Sequence, residues 1–502
     1  MGESLVLDGR SLTFQDVVQV SREGKRIALS EEALERCRAS RAVVWELTKS
    51  TKQIYGLNTG VGANKDNHIT PEAYQAFNRR ILYSHSIALP PFADREVVRA
   101  TMLCRLNGFL CGVAGVQVEI LQLLCDMLNH GIHPRIPQRG SVGMSDLGNM
   151  AYVGLAMIGA GTVEYKGQAC PAREALAQCG LSPLVLGPKD GLPLVSSNAF
   201  SVAQAVLLWE ESARILETAD VVYAMGFEAQ RYNPMFLDMR AERGRKLEGQ
   251  HGSLSYVRSC LAGSDLWQQG SESLAGALSY KSSCAIHGAA REALAYVQKL
   301  LPQYLNATDD CPMVLTEERE IISTSHFIIT SLALAFEMLD LALAHVARLS
   351  AHRIMRMGDE RFSGLPRFLR PETQVIGYAT VEKTVSALDG EIRHLANPSS
   401  LDYMPTGNDT EDHGCNTPQV MRKTKEILNL LWYLLGIEGM YAAQAADVSG
   451  RPFTGAGTKF AYDALRKEIP FLQEDNRDLG ADMERAHDLL RSAGILWERK
   501  LV

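Results

Sequence analysis

The sequence contains no C-x-x-C pair, no long uncharged hydrophobic run and no cluster of basic residues. Its ten cysteines are scattered through 502 residues. This distribution is typical of single buried thiols in a reducing compartment, so we expect a cytoplasmic protein. Residues 331–349 form the most apolar long stretch, but they include Glu337, Asp340 and Arg348, which is wrong for a membrane span. The first residues have neither a basic nor an apolar region, so we expect no secretory signal.

A strong excess of one charge is absent as well. The chain has 51 Lys and Arg against 58 Asp and Glu, which gives a net charge of −7. Because binding to nucleic-acid phosphates requires a concentrated basic face, we expect no nucleic-acid partner, and we expect no membrane partner either. His130 and His133, like Cys284 and His287, have ligand-like spacing but no second pair nearby, so we expect no metal site.

The spacing of apolar residues predicts long helices. Apolar side chains recur at intervals of three and four over residues 331–346 and again over residues 424–448, a pattern that is typical of helices packed in a bundle. Short runs of Val and Ile do not alternate with helical segments, so a doubly wound sheet is not expected. The sequence therefore predicts a mainly α-helical fold.

Glycine-rich segments distinguish the first half of the chain from the second. They lie at residues 55–62 and 140–148, between predicted helices. Glycine frees the backbone from steric limits, as a site built from main-chain groups requires. We therefore predict two domains, an N-terminal active-site domain at residues 1–200 and a C-terminal helical bundle at residues 201–502.

The second glycine segment delivers a serine to the start of a predicted helix. Ser145 and Asp146 directly precede a helical apolar pattern, and either is well suited to cap the helix. Free N–H groups and the positive end of the helix dipole attract an anion or a developing oxyanion there. The alternative interpretation is a capped helix after a simple turn.

Tyr55 is a candidate proton-transfer residue. Its neighbours are glycines and polar residues, which offer no apolar face to bury the ring, so we expect the ring to face a cavity. A phenol has a pKa near ~10, so a tyrosine base requires nearby positive charge or hydrogen bonds that favour the phenolate. A structural hydroxyl in a turn is the alternative. His85 is either a second proton-transfer group or a buried imidazole that is satisfied by its neighbours.

Ordered segments through most of the chain resemble motifs of the histidine and aromatic amino-acid ammonia-lyase and aminomutase family. They are YGLNTGVG at residues 55–62, LYSHS at 82–86, NHGIHP at 129–134, NATDDCP at 306–312 and EDH at 411–413. The resemblance implies an ammonia-lyase-like, elongated helical bundle that acts on an amino-acid-like small molecule. It also implies a homotetramer whose active sites draw residues from more than one subunit.

The chain departs from the family at the residues that form its cofactor. In the family an Ala-Ser-Gly tripeptide cyclises into a methylidene-imidazolone electrophile, which captures the substrate while a tyrosine removes a proton. Here the loop has Met144-Ser145-Asp146, one residue shorter and without the glycine. The attacking nitrogen would have to come from the branched, charged Asp146. We therefore expect no methylidene-imidazolone and no other cofactor.

Further departures indicate a pocket altered for another substrate. Ser283 stands where the family has the arginine that grips the substrate carboxylate, although Lys281 could offer a point charge nearby. Ser196 stands where the family has an active-site asparagine, with Asn198 two residues later. The candidate catalytic residues are Tyr55, Ser145 and Tyr280. The candidate substrate-binding residues are Leu57, Gly62, His85, Ser196, Asn198, Lys281, Phe327 and Glu411.

Three functions are compatible with these residues. The first is an enzyme of the ammonia-lyase superfamily that works without a cofactor on an amino acid or related amine, for example by acyl transfer that forms an amide or peptide bond, with Tyr55 as base and an acyl donor as second substrate. The second is an ammonia-lyase or aminomutase in which Met144-Ser145-Asp146 does cyclise. The third is a catalytically silent relative that binds a ligand.

Overall fold

The computed structural model describes residues 4–269, 276–372, 376–474 and 476–496. About 60% of the chain is helical, with few strands. The prediction of a mainly α-helical protein is confirmed.

Helices carry the architecture. In chain order they are α1 Phe14–Arg22, α2 Glu31–Leu47, α3 Tyr74–His85, α4 Arg95–Phe109, α5 Val118–His130, α6 Leu147–Met157, α7 Ala172–Gln178, α8 Gly191–Val195, α9 Ala199–Ala229, α10 Glu248–Cys260, α11 Leu266–Gln269, α12 Leu278–Lys281, α13 Ser283–Leu305, α14 Thr330–Gly358, α15 Glu360–Ser363, α16 Val381–Leu395, α17 Thr417–Ser449, α18 Ala456–Glu468 and α19 Leu479–Arg491. Short 3-10 turns lie at Gly62–Asn64, Pro71–Ala73, Pro234–Leu237, Met239–Arg243 and Arg367–Leu369.

The strands are short and belong to small separate sheets. They are β1 Leu5–Leu7, β2 Ile27–Leu29, β3 Leu89–Phe92, β4 His133–Pro134, β5 Pro137–Arg139, β6 Thr162–Tyr165, β7 Gln168–Pro171, β8 Met313–Leu315 and β9 Glu320–Ile322. The pair β1 and β2 is parallel, whereas β3 with β5, β4 with β6, β6 with β7, and β8 with β9 are antiparallel. No described strand exceeds four residues. The small sheets therefore connect neighbouring loops and do not form a separate layer of the fold.

The chain groups into two compact units. The described residues of Met1–Leu208, Gln298–Leu334 and Pro398–Arg422 form the first unit. Those of Trp209–Val297, Ala335–Asn397 and Lys423–Val502 form the second. Each unit combines three separate segments of the chain. The predicted division into two domains at residue 200 stays a prediction.

Each unit has its own buried interior. In the first unit, Val43, Val44, Leu57 and Val314 form an apolar cluster. In the second unit, Arg353 on α14 forms a fully buried ion pair with Glu438 on α17, with Nε and Oε1 2.5 Å apart. The helical stretch Gly191–Ala229 is long and apolar enough to cross a membrane. Its most apolar 18 residues, however, are completely buried inside the protein.

Candidate active site

A cavity of about 940 Å³ lies in the first unit. The glycine loop after Tyr55, one face of α3, the loop before α6 and the segment around Glu411 contribute to its wall. Of the residues predicted from the sequence, those that line it are Tyr55, Gly62, His85, Ser145, Ser196, Phe327 and Glu411. Residues from distant parts of the sequence therefore share one cavity.

The glycine loop is folded around the side chain of Asn58. The Asn58 Oδ1 accepts a hydrogen bond from the Ile54 N–H at 2.7 Å, and its Nδ2 donates to the Lys52 carbonyl at 2.9 Å. Gly56 has φ +69, a left-handed conformation that a side chain would strain. A Cβ atom at Gly56 would also lie 2.8 Å from the Leu192 side chain. These restraints fix the backbone next to Tyr55.

The Tyr55 hydroxyl faces the backbone of its own loop. Its oxygen accepts a hydrogen bond from the Gly62 N–H at 2.9 Å. Burial raises the pKa of Tyr55 above its ordinary value, and the Gly62 N–H opposes that shift because it stabilises the phenolate. Tyr55 is therefore a neutral phenol at pH 7. If it loses its proton, the Gly62 N–H is already in place to stabilise the phenolate oxygen.

His85 is the last residue of α3 and contributes its imidazole to the cavity wall. Its Nδ1 lies 2.8 Å from the Ile81 carbonyl oxygen. Because a carbonyl can only accept, we assign the proton of the neutral ring to Nδ1. Nε2 then carries a lone pair, so the histidine can accept a proton. Both interpretations of His85, proton transfer and a structural role, stay open on this geometry.

Ser145 lies at the cavity wall in a constrained backbone conformation. It has φ +55 and is only 3% exposed. Its N–H donates to the Phe327 carbonyl at 3.2 Å, and its hydroxyl oxygen lies 3.1 Å from that of Ser196. The two candidate serines thus form a pair at the wall.

Asp146 precedes α6 but its side chain does not cap that helix. Its φ of −99° and ψ of 48° lie outside the extended region from which a capping side chain reaches its own first turn. The carboxylate accepts instead from the Ser201 N–H at 2.8 Å and the Ser201 hydroxyl at 3.0 Å, in the first turn of α9. Burial raises the pKa of Asp146 to about 7. The predicted side-chain cap of α6 is therefore not formed by Asp146, because its carboxylate is engaged by the first turn of α9.

A buried ion-pair network holds the loop that carries Ser196. Arg105, which is 2% exposed, donates to Asp309 and Asp310 at 2.8 Å each. Asp309 in turn accepts from the Ser197 hydroxyl at 2.8 Å, and the Ser197 carbonyl accepts from the Asp146 N–H at 2.7 Å. These residues were not predicted from the sequence, although the two adjacent acids within NATDDCP were a signal for them.

We expect Arg105→Met to destabilise the protein strongly. Removing the guanidinium leaves the buried Asp310 and the half-buried Asp309 without their shared counterion, and breaking a buried ion pair in this way typically costs about 3–5 kcal/mol. Urea unfolding measures the loss of unfolding free energy. Arg38→Met is the control, because the Arg38 ion pair with Glu31 is 51% and 68% exposed, and this variant should unfold like the wild type. Equal midpoints for the two variants would show that the network does not hold the loop.

Two predicted binding residues of the first unit, Leu57 and Asn198, are absent from the cavity lining. Leu57 is fully buried in the apolar cluster, since its side chain packs with Val44 and Val314. Asn198 is 1% exposed and its N–H donates to Asp309 at 2.5 Å. The side-chain amide of Asn198 is buried and has no hydrogen-bond partner among the residues that the structure describes.

Two further candidates lie in the second unit. Tyr280 is completely buried, its hydroxyl accepts from Gln230 at 3.0 Å, and its ring stacks on Tyr232 at 3.9 Å. Lys281 is exposed, with its ammonium 5.6 Å from the centre of the Phe236 ring. A role for Tyr280 and Lys281 in catalysis or substrate binding stays a prediction.

Comparison with known proteins identifies the family. The sequence profile described as aromatic amino acid lyase matches residues 12–467. The chain belongs to the aromatic amino acid lyase family. The predicted resemblance to the ammonia-lyases and aminomutases is thereby confirmed.

Individual members of the aromatic amino acid lyase family match almost the whole chain. A histidine ammonia-lyase of Alkaliphilus oremlandii is 33% identical over 98% of both chains. The crystal structure of an ergothioneine-degrading enzyme, ergothionase from Treponema denticola in complex with desmethyl-ergothioneine sulfonic acid, is 35% identical, with a TM-score of 0.96 over 98% of this chain and 100% of that one. A tyrosine aminomutase from Streptomyces globisporus is 27% identical, with a TM-score of 0.94 over the full length of both.

These matches confirm two predictions and contradict a third. The chain is an enzyme of the ammonia-lyase superfamily with carbon–nitrogen bond chemistry, and its small-molecule substrate is amino-acid-like. Our expectation of an enzyme without a cofactor was wrong, because the family and its histidine ammonia-lyase members use the methylidene-imidazolone. The missing glycine had led us to that expectation.

The residues at the position of the tripeptide fit this group. Met144 and Ser145 both line the cavity, and the left-handed backbone of Ser145 is typical of a tight turn. Asp146 does not line the cavity, because its carboxylate is bound to the start of α9 through Ser201. The side chain of Asp146 was the reason to expect no cyclisation. Because it is bound to Ser201, it points away from the backbone of Met144 and Ser145 that would form the ring.

Proposed function

We propose that the protein is a carbon–nitrogen lyase that releases the α-amino group of histidine or of a histidine derivative. The observation that carries the proposal is a single cavity whose wall includes Tyr55, Ser145 and Glu411. Matches to histidine ammonia-lyases over 98% of the chain support histidine as the parent of the substrate class. Acyl transfer has no support among these relatives and is not proposed.

The reaction removes a proton and an amine from neighbouring carbons. A base takes a proton from the β-carbon, the bond between the α-carbon and nitrogen breaks, and a carbon–carbon double bond forms between the two. The amine leaves with the electron pair of the broken bond. Formed from Met144, Ser145 and Asp146 at the cavity wall, a methylidene-imidazolone would supply the electrophilic chemistry of this reaction.

In this proposal Tyr55 takes the β-proton. The Gly62 N–H, 2.9 Å from the phenol oxygen, stabilises the phenolate. His85 can exchange protons through Nε2, because its Nδ1 is engaged by the Ile81 carbonyl. The Ser196 hydroxyl, which also lines the cavity, can offer a hydrogen bond to the reacting substrate.

Glu411 is suited to bind the positively charged amine. Its carboxylate is half-buried at the cavity wall, and Oε2 accepts from the Thr406 hydroxyl at 2.8 Å, which orients it. Charge-assisted hydrogen bonds to an ammonium are roughly twice as strong as neutral ones. The group that binds the amine therefore differs from the group proposed to take the proton.

A second candidate substrate is ergothioneine, a trimethylated derivative of thiohistidine. The aromatic rings of Tyr55, Phe77 and Phe327 line the cavity together with Glu411. Aromatic faces and a carboxylate are what a quaternary ammonium requires, because it cannot donate hydrogen bonds. The structural match to ergothionase agrees with this choice.

Direct assay of both substrates tests the proposal. The purified protein is given L-histidine or ergothioneine, and the released amine and the ultraviolet absorbance of the conjugated unsaturated acid are followed. We expect turnover of at least one substrate. Absence of amine release from both would overturn the proposed substrate class.

We also propose that the protein is a cytoplasmic homotetramer. On α14, Leu334, Met338 and Leu341 recur at spacings of four and three and are 54%, 41% and 49% exposed, so they offer an apolar stripe to a second copy of the chain. All ten cysteines are free, which suits a reducing compartment. Light scattering should give the mass of four chains, and a fully active monomer would contradict the assembly.

A further inference from the structure

Two cationic side chains line the cavity that are not among the residues predicted from the sequence. Within the described residues, its formally charged lining groups are Lys65, Arg80 and Glu411. Charged groups of both signs suit a zwitterionic ligand, because its carboxylate and its ammonium pair with opposite charges. Of the two cations, Arg80 has the more defined position.

Arg80 lies on a regular helix and not on a loop. Phe77, Arg80, Ile81 and Ser84 all line the cavity. Their spacing of three, four and seven residues places them on one face of α3. The helix thus directs Arg80 toward the same space as the apolar residues that pack around a ligand.

Arg80 is available for a ligand, whereas its neighbour is not. Among the described residues, no hydrogen-bond acceptor or ion-pair partner is found for the Arg80 guanidinium. Arg79 does not line the cavity, and it donates to the Tyr83 hydroxyl at 3.1 Å while lying 5.4 Å from the centre of that ring. Adjacent arginines on one helix therefore have different roles.

We propose that Arg80 binds the carboxylate of the substrate, with Lys65 as a second positive charge. The proposal rests on the proposed function, since it takes the substrate to be an α-amino acid or its betaine. A guanidinium matches a carboxylate with two parallel N–H donors, which a lysine cannot do. Ser283, at the family's arginine position, is engaged elsewhere, because its hydroxyl donates to Ser279 and accepts from Arg353 at 2.7 Å each.

Equilibrium binding of two unreactive probes tests this assignment. Imidazole-4-propionate has the carboxylate but no amine, and histamine has the amine but no carboxylate. We expect Arg80→Gln to weaken imidazole-4-propionate roughly tenfold to a hundredfold and to leave histamine unchanged. Arg80→Lys should give an intermediate loss. The control variant, Arg79→Gln, should bind both probes like the wild type.

Each outcome decides the assignment. Equal loss in the Arg79 and Arg80 variants, or equal loss for both probes, overturns it, because neither is specific to a carboxylate at Arg80. A wild-type protein that binds no imidazole-4-propionate overturns it as well. If the expected pattern appears while no amine is released from L-histidine or ergothioneine, Arg80 keeps its assignment and the proposed reaction fails.

Discussion

Replacement of Ser145 by alanine should abolish amine release, with a loss of more than about a thousandfold in initial rate. Ser145 supplies the hydroxyl that must leave as water if the loop cyclises, and that hydroxyl lies at the cavity wall 3.1 Å from the Ser196 hydroxyl. The variant should fold normally, because the N–H donated to the Phe327 carbonyl is retained. Initial rates with L-histidine and ergothioneine measure the effect.

Intact-protein mass provides a second measurement on the same variant. If Met144-Ser145-Asp146 cyclises, the wild-type chain lacks the mass of two waters relative to its sequence, and Ser145→Ala has the encoded mass. Ser86→Ala is the matched control, because Ser86 lies half-buried just beyond α3 and does not line the cavity. It should keep the mass deficit and the activity. An encoded mass for the wild type would show that the serine stays unmodified.

Tyr55→Phe should lower kcat by roughly a hundredfold to ten-thousandfold, the usual contribution of a positioned proton-transfer group. The ring keeps its place in the loop, because phenylalanine lacks only the oxygen that accepts from the Gly62 N–H. Steady-state kinetics and thermal unfolding separate the effect on catalysis from an effect on folding. Tyr83→Phe is the control, since Tyr83 is 47% exposed and does not line the cavity.

The pH dependence of the reaction tests Tyr55 as the base. Burial raises the pKa of Tyr55 above its ordinary value near ~10, so the phenolate fraction grows with pH throughout the neutral and alkaline range. With Tyr55 as base, kcat/KM should rise with pH across that range. A kcat/KM that does not change with pH across that range would contradict a phenolate base, and full activity of Tyr55→Phe would exclude the tyrosine.

Helix periodicity made much of the fold predictable. The apolar repeats from residue 331 and from residue 424 correspond to α14 and α17, which are 29 and 33 residues long. The strands were not predicted, because segments of two to four residues show too little alternation to stand out. The division into two compact units could not be predicted from the sequence either. It depends on residues 298–334 and 398–422, which are distant in sequence from residues 1–208 but belong to the same unit.

At the site, prediction succeeded where the local sequence limits the backbone. Glycines around Tyr55 and before Ser145 indicated loops open to a cavity, and both residues line it. Leu57 is in the same loop but packs into the core, because the chain turns at Gly56. The Arg105 network was missed because its partners lie about 200 residues away in the sequence, and Arg80 resembles any solvated charge on a helix.

The most direct test of the central claim, elimination of an amine, measures both products in one sample. Purified protein is incubated with L-histidine and, separately, with ergothioneine, while the released amine and the unsaturated acid are quantified by mass spectrometry. We expect equal amounts of the two products to appear together from at least one substrate, and neither to appear with Ser145→Ala. Consumption of substrate without amine, or binding of both substrates without any conversion, would contradict the account.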